Sequence, residues 1–431
     1  MTRAYFLSVA AITGFASLWS SPARAVQPLD EFIAATATQG FDAREVDATR
    51  RQREAEADVS LGRLLPAGSV RGVYTRNQFE VATQLPGSTT RLVIQPQDQV
   101  DLFLQVDVPL IDLAGYYRYK STTAVARAAS EQTAAARLDV TRVVSRAYFQ
   151  YVGGASLLET ARRSVVVAEA NLRSVEDRRA AGVVTDLDRE RARANVERAK
   201  QNVADAELGM ALSARSLETL SKITPAAAAG TISEDLHEEA PLVRWTGLAN
   251  DTPQERAARE LKAASSLARK SAGMALVPTL SLSAQERVTN ATGFSGKEAV
   301  FAIQAIASWR LDYGTWKTLD VQDAARDVAA IRQSRIHRAA EDAVFEAYRR
   351  VENGIAKSRA ARAESSAAAK AADLATDRYT AGVTTQLDVT QAQRDAFLAD
   401  ASRIQADADL AFARATLRLS AGRSPSDPRS P

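Results

Sequence analysis

Asp177-Arg-Arg-Ala-Ala-Gly-Val-Val-Thr-Asp-Leu-Asp-Arg-Glu-Arg-Ala192 recurs 200 residues later as Asp377-Arg-Tyr-Thr-Ala-Gly-Val-Thr-Thr-Gln-Leu-Asp-Val-Thr-Gln-Ala392. Nine of the sixteen aligned positions are identical, where average residue usage would give roughly one. The same offset pairs Asp112 with Asp312. The chain is therefore an internal duplication, and each copy is one large structural unit.

Each copy of this sequence predicts a sharp turn between two helices. A glycine at the end of a long helical pattern suits a C-terminal cap that needs positive φ. Thr185 or Asp186 can cap the helix that follows in the first copy. We call residues 178–188 and 378–388 the two tips.

The rest of the chain divides around this duplication. Arg3 precedes an apolar run, and Ala23-Arg24-Ala25 fits a signal-peptidase site, so we expect a signal peptide, with a single membrane anchor as the alternative. Prolines and an acidic patch mark a linker between the copies. The predicted segments are a signal peptide at 1–25, copy one at 26–222, a linker at 223–252, copy two at 253–422 and a disordered tail at 423–431.

Composition argues against several functional classes. The chain has no cysteine, which excludes disulfides, thiol catalysis and a lipid-modified N-terminal cysteine. Removal of the signal peptide would leave 53 basic and 52 acidic residues, so charge gives no reason to expect nucleic acid. Only His237 and His337 are histidines, and no phosphate loop or nucleophile motif is present. We therefore expect no metal site, no cofactor and no enzymatic activity.

Each copy opens with a helical pattern that stops at a proline and continues as β-type sequence. The helices are predicted at 29–63 and 254–276, and the hairpins at about 68–111 and 279–311. Apolar residues alternate with polar ones over about ten residues, which suits a strand that crosses a bilayer within a barrel. A soluble, half-buried hairpin would show the same alternation.

Aromatic residues cluster where each hairpin meets its helix. Such clusters are typical of the membrane–water interface, although aromatic packing at a junction is the alternative. The predicted interface aromatics are Tyr116, Tyr117, Tyr119, Trp309, Tyr313 and Trp316.

Long helical hairpins follow, at about 115–222 and 315–421. The apolar residues in each repeat every 3.5 positions, as in a coiled coil. Many of them are Ala or Gly, which fill a wide bundle core poorly. The pattern favours closely spaced helices in the wall of a hollow tube.

The duplication, the Asp-x-x-Gly motif at Asp112–Gly115 and the two tip motifs resemble the TolC family of outer-membrane efflux and secretion channels. The resemblance covers nearly the whole mature chain. It implies an α+β membrane protein that forms a homotrimer, with a shared 12-stranded β-barrel and a periplasmic α-helical barrel. The trimer would sit in the outer membrane of a Gram-negative bacterium, in contact with its lipid.

The same resemblance implies a function and partners. The chain would be the exit duct of a tripartite efflux or type I secretion system, docked on a periplasmic adaptor protein and, through it, on an inner-membrane transporter. The residues expected to contact the adaptor are Gly182, Val183, Thr185, Leu187, Gly382, Val383, Thr385 and Leu387.

Four further residues match positions that narrow or hold closed the pore in this family: Asp188, Tyr379, Asp388 and Gln391. Asp388 matches a constricting acid, whereas Gln391 stands where family members can carry a second Asp. A hydrogen bond from the Tyr379 hydroxyl to Asp188 is our hypothesis for the closed entrance. Asp188 as a simple helix cap is the alternative.

Two other functions are compatible with parts of the sequence. A periplasmic adaptor also has a long helical hairpin, but it has one hairpin among small β-domains. A coiled-coil scaffold without a pore would not need the alternating ten-residue strands.

Overall fold

The computed structural model describes residues 27–84, 87, 91–226, 232 and 234–425. The predicted signal peptide and the last six residues of the predicted tail lie outside the described residues. Copy one contains α1 (Leu29–Gln39), α2 (Phe41–Gly62), β1 (Ala67–Arg76), β2 (Val81–Gln84), β3 (Arg91–Gln95), β4 (Asp98–Ile111), α3 (Leu113–Ala180) and α4 (Asp186–Ser221).

The linker and copy two repeat this order with fewer strands. They contain α5 (Leu242–Ala249), α6 (Pro253–Met274), β5 (Thr279–Thr289), a short 3-10 helix (Gly293–Ser295), β6 (Ala299–Ser308), α7 (Tyr313–Thr380) and α8 (Gln386–Ser420). The described chain is mostly helical, with a small four-stranded main sheet and a twofold repeat, as the sequence predicted.

Two local features differ from the prediction. The single helix expected at 29–63 is interrupted at Gly40, where the backbone is extended. A Cβ at Gly40 would lie 2.5 Å from the Thr36 carbonyl oxygen, so another residue here would collide with the last turn of α1. The connection between β1 and β4 also carries an additional hairpin of β2 and β3.

The main sheet joins the two copies. Its four strands are antiparallel in the order β1-β4-β5-β6, so each copy supplies one pair and β4 pairs with β5 across the duplication. The register sets Leu102 opposite Val288 and Leu282 opposite Ala305. Strands β1 and β6 form the two edges of this sheet, and neither pairs on its outer side with any described strand.

The two faces of the sheet differ in polarity. One face exposes large apolar side chains, and its charged residues are Glu286 and the Arg76–Asp98 pair at the end of β1 and the start of β4. On the other face Arg287 forms an ion pair with the buried Asp101 at 2.7 Å, and Gln105 donates to Asp107. The exposed apolar residues of the first face include Val70, Tyr74, Val100, Leu102, Leu104, Val106, Phe301 and Ile303.

The long helices carry the predicted coiled-coil seams. Helices α3 and α7 each contain 68 residues, or roughly 100 Å at 1.5 Å per residue. Small residues bring neighbouring helices close: a Cβ at Gly354 would lie 3.1 Å from Leu410. Among the described residues, no helix is both long and apolar enough to cross a membrane. The buried seam residues include Val144, Ala147, Tyr151, Leu158, Ala161, Ala340, Val344, Ala347, Val351 and Gly354.

A buried arginine fastens the linker between the copies to α8. The side chain of Arg414 is 5% exposed and forms an ion pair with Glu239. It also donates to the carbonyl oxygens of Asp235 at 3.1 Å and His237 at 2.6 Å. The acidic patch of the linker is therefore held in place by α8.

The Asp-x-x-Gly motif begins α3. The Asp112 carboxylate accepts a hydrogen bond from the Gly115 backbone N–H at 2.7 Å and so caps the helix. A Cβ at Gly115 would collide with that carboxylate and lie 2.9 Å from Leu64 Cδ2. Copy two caps α7 through Asp312 and the backbone N–H of Thr315, but with a different Asp backbone, whose ψ is 156° against 84° at Asp112.

We expect Gly115→Ala to destabilise the start of α3, because the new methyl group displaces the capping carboxylate. Loss of a cap costs about 1 kcal/mol, and amide hydrogen exchange in residues 113–118 measures it. Gly209→Ala is the matched control, since nothing lies within 4 Å of its added Cβ and alanine favours a helix interior. Equal exchange at the start of α3 in both variants and the unmodified chain would contradict this role for Gly115.

Candidate functional site

The two tips have the same backbone geometry. Gly182 and Gly382 have φ values of +74° and +77°, a region that favours glycine. The N–H of Gly182 bonds to the Arg179 carbonyl and that of Val183 to the Arg178 carbonyl, which is the Schellman motif of helix ends. Copy two repeats both bonds. The duplicated sequence therefore forms the predicted helix-turn-helix tip twice.

A capping box begins the return helix at each tip. Thr185 and Asp188 exchange side-chain and backbone hydrogen bonds at the start of α4, and Thr385 and Asp388 do so at the start of α8. One oxygen of Asp388 accepts from the hydroxyls of Thr384 and Thr385 and from the Thr385 backbone N–H. These bonds lower the pKa of Asp388 to about 2, so its carboxylate is charged at neutral pH.

Apolar side chains protrude from both tips. Val183 is 69% exposed and Val383 is 75% exposed, and Leu187 and Leu387 are exposed beside them. Nothing in the described chain covers these four residues. The residues predicted to contact an adaptor thus form an exposed apolar surface at each tip.

A small core joins the two tips at their base. Val175, Ala192, Tyr379 and Val389 are buried together and come from α3, α4, α7 and α8 respectively. All four long helices therefore meet in one cluster. Among these four, only Tyr379 was predicted from the sequence as a pore residue.

Arg178 makes the polar contact between the tips. Its guanidinium lies 4.8 Å from the centroid of the Tyr379 ring. It donates to the carbonyl oxygens of Tyr379 at 2.8 Å and Thr380 at 2.5 Å. Those carbonyls end α7, where the helix dipole favours a cation. The one sequence signal for Arg178 is its identity with Arg378 in the two copies of the motif. That signal could have pointed to a role at the tips.

The predicted hydrogen bond between Tyr379 and Asp188 is absent. The Tyr379 hydroxyl is buried and has no hydrogen-bond partner among the described residues, whereas Asp188 is engaged in its own capping box. Burial raises the pKa of this hydroxyl, Arg178 opposes that shift and the nearby Asp188 adds to it. The local cap takes up the Asp188 carboxylate, so the hypothesis of a Tyr379–Asp188 link was wrong for this structure.

Two further polar contacts connect the helical hairpins above the tips. Thr160 donates to Asp400 at 2.9 Å, from α3 to α8. Asn195 donates to Gln393 at 3.2 Å, from α4 to α8. Gln391, the last of the four predicted pore residues, is exposed one turn along α8 from Asp388. The structure therefore places Asp388 and Gln391 near one another on the surface of a single helix.

The six predicted interface aromatics lie at the junction of sheet and helices. Tyr116, Trp309, Tyr313 and Trp316 are exposed, and Tyr117 and Tyr119 are partly buried. The Trp309 indole N–H donates to the Leu276 carbonyl at 2.9 Å.

We expect Arg178→Ala to loosen the two tips. Loss of its hydrogen bonds to the end of α7 should cost about 1–2 kcal/mol after allowance for solvent screening, or roughly 5- to 30-fold faster amide exchange. Exchange at residues 379–383 is the measurement. Arg179→Ala is the control, because Arg179 pairs with Asp186 within its own tip. Equal acceleration in both variants would refute the contact.

Solved structures with this fold are channels and membrane proteins. A membrane protein from Pseudomonas aeruginosa is 20% identical, with a TM-score of 0.79, over 92% of this chain and 90% of that one. The outer-membrane channel OprN is 21% identical, with a TM-score of 0.78, over 93% and 91%. The Campylobacter jejuni outer membrane channel CmeC is 16% identical, with a TM-score of 0.76, over 98% and 96%. At these identities the likeness establishes the fold.

Sequence comparison identifies the family. A search among curated proteins gives no significant match. The family described as outer membrane efflux protein matches residues 37–221 and 248–423, which cover most of copy one and all of copy two. Neither the adaptor nor the scaffold alternative is supported by these comparisons. The chain belongs to the outer membrane efflux protein family.

Proposed function

We propose that three copies of this chain form one continuous exit duct. The chain is an outer-membrane efflux channel protein by family. In the proposed assembly the sheets of three chains close a 12-stranded barrel in the outer membrane, and their long helices form a tube in the periplasm. Efflux or type I secretion substrates would leave through this duct.

The observation that carries the proposal is the sheet, with its exposed apolar face and two unpaired edges. In lipid every backbone N–H and C=O group must be bonded, so an open sheet edge is not tolerated. Pairing β1 of one chain with β6 of the next satisfies both edges when the ring closes. Twelve strands from three chains make an even-numbered barrel of ordinary size.

The polarity of the two faces supports the same arrangement. The apolar face, with Val106 and Ile303, would meet lipid, and the face with the Asp101–Arg287 ion pair would line the interior. The aromatic residues at the junction of sheet and helices would then lie at the periplasmic interface of the membrane, where Trp and Tyr are favoured. We propose no catalytic role for any residue.

The tips supply the surface for a partner. Exposed Val183, Leu187, Val383 and Leu387 form six small apolar projections in a trimer. Exposed apolar groups grouped at one end of a molecule are typical of a protein–protein contact. We propose that a periplasmic adaptor docks there and that it connects the duct to an inner-membrane transporter.

Asp388 is our candidate for the narrowest part of the entrance. In a trimer, three Asp388 side chains lie at one height around the axis. A ring of carboxylates attracts cations and repels anions. Gln391 would add a neutral polar ring beside it. Asp188, in the capping box of α4, and Tyr379, in the core between the tips, would hold the helices around this entrance in position.

We expect Ile303→Arg to lower the amount of protein assembled in the outer membrane. A charge on the lipid face of a barrel costs about 2–4 kcal/mol at mid-membrane, and Ile303 is 66% exposed on the apolar face. Gln304→Arg is the control, since its side chain points to the opposite face. Quantification of the heat-resistant oligomer in membrane fractions tests the pair. Unchanged assembly of the Ile303 variant would contradict lipid contact.

We expect Asp388→Asn to reduce the cation preference of single channels, because the variant removes three charges from the proposed ring. The measurement is the reversal potential in a salt gradient across a planar bilayer. Asp188→Asn is the matched control, since Asp188 occupies the same capping position in the other tip. A shift caused equally by both variants, or by neither, would argue against the Asp388 ring.

A further inference from the structure

The duplicated tips carry equivalent arginines in unequal surroundings. Arg178 is partly buried and donates to two carbonyls of the other tip. Arg378 occupies the same place in the second tip, but its side chain is exposed. Its guanidinium has no hydrogen bond or ion pair to any other described residue. Both copies of the motif contain this arginine, but within one chain only Arg178 binds the other tip.

A ring of three chains offers the missing acceptor. Copy one and copy two alternate around such a ring, so every tip has two neighbours. The Arg178 contact joins copy one to copy two of the same chain. The remaining junctions join copy two of one chain to copy one of the next. Arg378 has the same backbone geometry around it as Arg178, so the equivalence of the two copies would set it at the second kind of junction.

We propose that Arg378 binds the end of α3 in an adjacent copy of this chain, through the partner subunit's Arg179 and Ala180 carbonyl oxygens. This inference rests on the trimer of the proposed function. The two carbonyls occupy the positions that Tyr379 and Thr380 occupy in α7, and a helix C-terminus favours a cation there. The adjacent copy thus supplies the two acceptors that Arg378 lacks within its own chain.

The junction between chains is weaker than the junction within a chain. Arg178 lies against the Tyr379 ring, and a cation gains from such a contact. The corresponding side chain for Arg378 is the partner subunit's Arg179, which has no ring and carries the same charge. Arg179 forms an ion pair with Asp186 at 2.5 Å, which reduces the repulsion between the guanidinium groups of Arg378 and the partner subunit's Arg179. The attraction between a cation and an aromatic ring is still missing at this junction. The entrance therefore parts first between chains, where each junction lacks the aromatic contact.

Chemical cross-linking tests the arrangement directly, because the chain has no cysteine of its own. The test variant carries Arg378→Cys and Ala180→Cys, and the control carries Arg178→Cys and Thr380→Cys. A short bismaleimide is used, since an arginine side chain spans more than a disulfide allows. We expect the test variant to give dimers and trimers in denaturing gels and the control to remain a monomer with an internal link.

The outcomes separate this inference from the proposed function. Light scattering of each variant before cross-linking reports whether it is a trimer. A trimeric test variant that yields only monomer bands would overturn the Arg378 contact and leave the duct intact. A monomeric unmodified protein would overturn the duct and this contact together.

If the cysteine variants do not form trimers, amide exchange on a different variant tests the same contact. In the trimeric protein, Arg378→Ala should speed amide exchange at residues 179–183 by roughly three- to tenfold, as expected for loss of a hydrogen bond or two. Arg378→Lys should restore slow exchange in part, because lysine keeps the charge. Unchanged exchange in Arg378→Ala would overturn the proposal.

Discussion

The unpaired edges of the four-stranded sheet constrain every other part of this molecule. Among the described strands, one row of backbone donors and acceptors is open along β1 and another along β6, next to a face of exposed apolar side chains. A single copy of such a sheet would be unstable in lipid, because the backbone N–H and C=O groups along its edges would have no hydrogen-bond partners there. Identical chains can satisfy both edges only by closing a ring. Oligomerisation would in this sense be a requirement of the strands, and in the proposed assembly the helices would inherit the symmetry of the ring.

In the same proposed assembly the helices would carry that symmetry to the opposite end of the molecule. Helices α3 and α7 have equal lengths of 68 residues, so both tips end at a comparable distance from the sheet. Small seam residues such as Gly354 allow the helices to pack closely. At the tips the two copies differ in detail: Tyr379 provides a ring for Arg178, whereas Arg179 stands at the matching position. In the proposed trimer this difference between the copies would produce two kinds of junction, with stronger and weaker contacts in alternation.

The sequence predicted those features that depend on local pattern. The tips, the long helices and the strands of the main sheet follow from glycine position, a 3.5-residue period and alternation, and the structure contains all of them. The break at Gly40 depends on a close approach to Thr36 that a helical pattern does not reveal. The contacts of Arg178 and Arg414 join residues about 200 and 175 positions apart, so no local pattern indicates them. The prediction of a hydrogen bond between Tyr379 and Asp188 was wrong because the Asp188 carboxylate accepts from Thr185, three residues before it. The pore and adaptor residues stay predictions.

The most direct test of this account is the mass of the mature protein extracted from membranes in a mild detergent, measured by light scattering with correction for bound detergent. We predict a particle of three chains at all concentrations at which the extracted protein stays folded. A folded particle of one or two chains would contradict the closed ring, because neither number brings every β1 edge to a β6 edge in a barrel of twelve strands.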